Sequence, residues 1–178
     1  MKKIYVIFAL VSLVSLTVTS QPQLTWRFNN VEVINAGTIL QFDVEVKANV
    51  DGSYHRDLQI YFDYNTLGFG SDIVANGKIT YSPLTLMDVS KYFVVNMADN
   101  TSSKFAIITE ATYEGPTGGF PGSSTHFQEI TTAYQGLLRF EIEIASNTET
   151  AGIVFDDMLM DGGEYYQSTS NTDPMKYA

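Results

Sequence analysis

The sequence predicts an all-β fold, a two-sheet antiparallel β-sandwich of jelly-roll type behind an N-terminal signal peptide, and three observations carry that expectation. Apolar and polar residues alternate over several long runs, aromatic residues make up 13% of the chain with 11 Tyr and 11 Phe, and convincing helical periodicity is absent. Aromatic and β-branched side chains suit a pleated, half-buried surface better than a helical bundle. With 178 residues, the chain that remains after a leader holds one ordinary domain with a core of its own and is too short for two comfortable ones.

The leader comes first. Lys2 and Lys3 supply a basic start, Ile4 to Leu16 form an apolar run, and Thr17 to Ser20 make a small-residue exit before Gln21. The run is about thirteen residues, short of the roughly twenty that cross a bilayer, so a cleaved secretory signal over residues 1–20 is expected rather than an anchor. There is no cysteine to carry a lipid or form a disulfide. A domain outside the cytoplasm without disulfides must then rely on core packing or bound metal. Without Lys2 and Lys3 the mature chain carries 8 basic against 20 acidic residues, a net charge of −12. Such a surface disfavours nucleic acid and anionic lipid as partners.

The strands follow in order over residues 21–160. Leu24 to Val33 opens the domain. From Ile39 to Ala48, Leu40, Phe42, Val44, Val46 and Ala48 share one face, opposed by Gln41, Asp43, Glu45 and Lys47. Leu58, Ile60, Phe62 and Tyr64 repeat the pattern against Gln59, Tyr61 and Asp63. Shorter candidates are Lys78 to Tyr81, Tyr92 to Met97 and Lys104 to Thr109. Leu138, Phe140, Ile142 and Ile144 then alternate with Leu137, Arg139, Glu141 and Glu143, and Ala151 to Phe155 closes a count of eight. Breakers such as Asn35-Ala36-Gly37, Gly68-Phe69-Gly70 and Asn76-Gly77 separate them. The best helical candidate is a single turn near Pro83 to Ser90. Residues 113–128, rich in Gly and Pro, exceed an ordinary hairpin loop, and 161–178 read as a polar linker or tail.

The long strand Ile39 to Ala48, the segment Phe62-Asp63-Tyr64-Asn65-Thr66-Leu67 and the late strand Gly136 to Ile142 together resemble a cohesin-type β-sandwich, the fold shared by cellulosomal cohesins and several carbohydrate-binding modules. Phe62 stands where that family's turn motif has Tyr. The opening Trp26-Arg27-Phe28 and the stretch from Tyr165 resemble secreted modules of Bacteroidetes, in which the tail runs on to a sorting domain for type IX secretion. No such domain precedes Ala178, so the expectation is the N-terminal part of a larger exported chain. The resemblance implies a non-catalytic extracellular module for protein or cell-surface attachment, or alternatively a carbohydrate-binding module of a polysaccharide-degrading system. The dockerin-contacting residues of cohesins have no one-to-one match here, and none is carried over.

Chemistry-bearing residues support the same negative expectation for catalysis. Glu141 and Glu143 lie two apart, roughly 7 Å along a strand, as would suit an inverting glycosidase pair, but alternate acids on a wet face are common. Asp43 and Glu45 read likewise. The two histidines, His55 and His126, fall in expected loops, and no Gly-x-Ser-x-Gly elbow accompanies them. Zinc is not expected. Structural calcium is the one cofactor left open, with Asp156, Asp157, Asp161 and Glu164 gathering hard oxygen ligands around Gly162-Gly163. Sugar binding would need open aromatic faces, and Tyr61 on a wet strand face and Phe120 in the Gly/Pro loop are the candidates least explained by packing. The expected partner is thus an extracellular protein or polysaccharide.

Overall fold

The computed structural model describes residues 23–111 and 127–156, together with the backbone of residues 166–168. In chain order its elements are β1 (Leu24–Ile34), β2 (Ile39–Ala48), β3 (Ser53–Asp63), α1 (Thr66–Phe69), β4 (Ile79–Pro83), β5 (Tyr92–Thr101), β6 (Lys104–Ala111), β7 (Gln128–Ile130), β8 (Gln135–Glu143), β9 (Val154–Phe155) and β10 (Tyr166–Ser168). They form two antiparallel sheets, one ordered β1-β2-β8-β4, the other β10-β3-β6-β5 with β7 and β9 also paired to β3. The expected all-β sandwich is what the chain adopts. Among the described residues no helix is long and apolar enough to cross a membrane.

Period-two alternation explains the core directly, because every second side chain of a strand points to the same face. Val44 and Val46 of β2, Leu138, Phe140 and Ile142 of β8, Ile60 and Phe62 of β3, and Phe105 and Ile107 of β6 are all completely buried or nearly so. Phenylalanine rings join the layers. Phe42 and Phe140 of the first sheet stack at 5.4 Å, Phe62 and Phe105 of the second at 4.6 Å, and Phe62 meets Phe140 edge-on at 5.4 Å between centroids. Such pairs add about 0.5–1.5 kcal/mol each beyond the area they bury.

β3 is the hub of the second sheet. Near its end Phe62 pairs with Phe105 of β6 and with Phe155 of β9, and near its start His55 pairs with Gln128 of β7 and Gln167 of β10. The two short strands β7 and β10 were not expected, and β10 falls inside the segment read as a tail. The turn expected near Pro83 to Ser90 forms no helix, only a tight turn in which the Met87 N–H donates to the Leu84 carbonyl at 2.9 Å. Instead the N–H groups of Leu84 and Leu86 donate to the Leu137 and Gly136 carbonyls at 3.0 and 2.9 Å, continuing the partnership with β8. A single helical turn forms at α1, where the Asn65 side chain caps it by accepting from the Leu67 N–H at 3.0 Å.

Candidate functional site

The sandwich is left open at the end where β1 turns into β2. Val33 pairs with Leu40, and strand alternation puts both on the core side of their sheet. Leu40 is buried, yet Val33 is 57% exposed. The facing layer stops short of it and leaves a cleft of about 250 Å³. Leu40 and Phe69 are its floor, and Val33 and Ile144 its apolar walls. Ser146, Asn147 and Glu149 bring polar groups to its rim.

The segment that carried the cohesin likeness builds one side of this cleft. Asn65 secures α1 to the chain beyond β8: its amide donates to the Thr150 carbonyl at 2.8 Å, and its backbone N–H to the Ala151 carbonyl at 3.0 Å. The Gly68 carbonyl in turn accepts from the N–H groups of Ala145 and Ser146 at 2.8 and 3.1 Å. Close approach favours glycine at this point, since a Cβ on Gly68 would lie 3.1 Å from the Thr150 backbone oxygen, tighter than an ordinary contact. Tyr64 ties the preceding turn down by donating its hydroxyl to the Ser102 carbonyl at 2.8 Å. Opposite, Asn35, Ala36 and Gly37 all carry positive φ, a strained connection for Ala36 in particular. The walls are therefore held by backbone bonds, and the cleft is preformed.

The outer face of the first sheet is organised differently. Asp43 is only 3% exposed. Arg139 grips it in a two-pronged pair at 2.6 and 2.9 Å, and the Asn30 amide donates at 2.7 Å from the bulge in β1. The Arg139 bond outweighs the cost of burial and holds the Asp43 carboxyl below its ordinary range. Glu45 accepts from Arg27 at 2.7 Å and Asn29 at 2.9 Å, and the Gln41 amide donates to Glu32 at 2.7 Å. Arg27 also lies over the Tyr134 ring at 3.9 Å. Alternate acids on β2 thus bind the sheet's own strands together.

Of the sequence-flagged residues, His55 is corrected most. It lies inside β3, fully buried, with Nδ1 donating to the Leu86 carbonyl at 3.2 Å and Nε2 3.4 Å from the Thr109 hydroxyl. Its ring stacks on Tyr92 at 4.3 Å, and burial pushes its pKa down to about 4. It is a neutral core residue, not a loop histidine. Tyr61 does sit on the outer side of its sheet, but it is only 9% exposed and its hydroxyl accepts from the Gln59 amide, so it offers no open platform for a sugar ring. Asp156 is buried and accepts from Lys104 at 2.6 Å, while the same ammonium reaches Asp63 at 3.0 Å. A lysine thus supplies the positive charge beside it. Among the described residues no set of three His, Asp or Glu side chains could hold a metal. Asp157, Asp161, Glu164, Phe120, His126 and the expected signal peptide lie outside the described residues.

The cleft itself went unforeseen. Alternation marks Val33 as inward or outward but does not say where the facing sheet ends, and Gly68-Phe69-Gly70 read only as a strand breaker. Comparison with protein-family models, with curated proteins and with solved structures returned no match.

Proposed function

We propose that this chain is a non-catalytic extracellular binding module that attaches to another protein through the open end of its sandwich. The observation that carries this reading is the exposure of Val33 on the core side of its strand, beside a preformed cleft of about 250 Å³. Pockets for whole small ligands run from roughly 300 to 1,000 Å³, so a cleft of this size suits a single protruding side chain of a larger partner. Leu67 at 68% exposure and Val31 at 60% extend the apolar surface near this end, of the kind that partners cover. The signal-like residues 1–20 support an extracellular setting.

A photo-crosslinking amino acid at position 67 tests the proposal, with Thr80, exposed on β4, as the control position. In the extracellular fraction of the producing cells, position 67 is expected to label one discrete protein, and Val33→Asp to abolish that labelling. Equal labelling from position 80, or labelling unaffected by Val33→Asp, would overturn the proposal.

A further inference from the structure

The make-up of the cleft narrows what it can hold, an inference that rests on reading it as a docking point. Its depth is hydrocarbon: Val33, Leu40, Phe69 and Ile144. Its rim carries one carboxylate, Glu149, which is exposed and makes no ion pair or hydrogen bond among the described residues. Among the described residues no cation lines the cleft, and the Lys78 ammonium donates to the Phe69 carbonyl oxygen at 3.1 Å. The chain as a whole carries 20 acidic against 10 basic residues, a field that draws cationic partners. An apolar slot with a single carboxylate among its lining residues is complementary to a side chain with a long methylene stem and a positive tip.

We propose that the cleft takes a lysine side chain of the partner protein, its alkyl stem against Val33, Leu40 and Phe69 and its ammonium at Glu149. Lysine is assigned over arginine because its four-carbon stem offers an unbroken hydrocarbon run to the slot and its compact, strongly hydrated ammonium suits an exposed carboxylate at the wet rim. The stem buries along apolar surface while the charged head stays at the wet rim.

Nuclear magnetic resonance titration of the purified chain with Nα-acetyl-lysine N-methylamide, and with its norleucine counterpart, tests the assignment. The lysine compound is expected to shift the methyl signals of Val33, Leu40 and Ile144 and to bind about threefold tighter than norleucine, the scale of an exposed ion pair. Glu149→Gln should erase that preference. Equal affinity for the two compounds in the unaltered chain, or a preference that survives Glu149→Gln, overturns the lysine assignment and leaves the docking point standing. No shift at the cleft with either compound overturns both.

Discussion

Asp43 and Glu149 are both carboxylates on the outside of the sandwich, and the molecule treats them in opposite ways. Asp43 accepts from Arg139 and Asn30 and is almost wholly covered. Glu149 is open at the cleft rim and receives nothing from the described residues. Around Asp43, both Glu45 and Glu32 likewise accept from side chains on an adjacent strand. Charge on that face is consumed in holding the first sheet together, so little is left with which to recognise a partner. The cleft has a rigid frame and an unsatisfied lining, the combination that leaves interaction energy for association.

Five substitutions at four positions can break or sharpen this contrast. The largest effect belongs to Phe69→Ala, which removes the cleft floor from the core and is expected to cost about 3–4 kcal/mol in urea unfolding. A cost below about 1 kcal/mol would mean that the cleft is not framed by the core.

Next comes Asp43→Ala, expected to cost about 2 kcal/mol by leaving Arg139 and Asn30 without their acceptor. The isosteric Asp43→Asn separates charge from shape through pH. Asp43 titrates below its ordinary 3.8 in the folded chain, so its stabilisation is complete above that value and is lost as pH falls through the lower folded pKa. His55 acts higher on the scale. Its pKa drops from 6.5 to about 4 on folding, so its contribution is complete above 6.5 and is lost as pH falls toward 4. In acid unfolding followed by circular dichroism, Asp43→Asn should flatten only the slope below pH 4 and keep the slope above it. Loss of both slopes would show that the two groups are coupled.

The smallest effect is expected at the rim, where Val33→Asp and Glu149→Gln should each change stability by less than about 0.5 kcal/mol. Thermal melts showing a larger loss at either position would make the rim structural and remove the contrast with Asp43.

How much could be read in advance follows from what alternation encodes. β2 was expected from Ile39 to Ala48 and forms over those residues, because its apolar set and polar set never mix. His55 escaped because the alternation of β3 breaks between it and Asp57, which pair with the consecutive residues Gln167 and Tyr166, so His55 turns to the core although simple period-two spacing puts it with Gln59 and Tyr61. β7 and β10 are three residues each, too short for a period to register. Most of the cleft stayed hidden for another reason: its lining comes from β1, β2, α1 and the chain after β8, and only the packing of the sheets decides that Val33 stays exposed on the core side. The part that was visible is Asn65, whose neighbourhood was singled out and which secures α1.

The double partnership of β3 has a consequence for how the fold can change. Its partners β6 and β9 end at Ala111 and Phe155, and pairing is taken up again, antiparallel, by β7 with Gln128 opposite His55 and by β10 with Tyr166 opposite Asp57. Four partners take their alignment from this one strand, so a single residue inserted inside β3 would throw β6, β7, β9 and β10 out of step together, which makes it a ruler whose length a lineage, or an engineer's library, must keep.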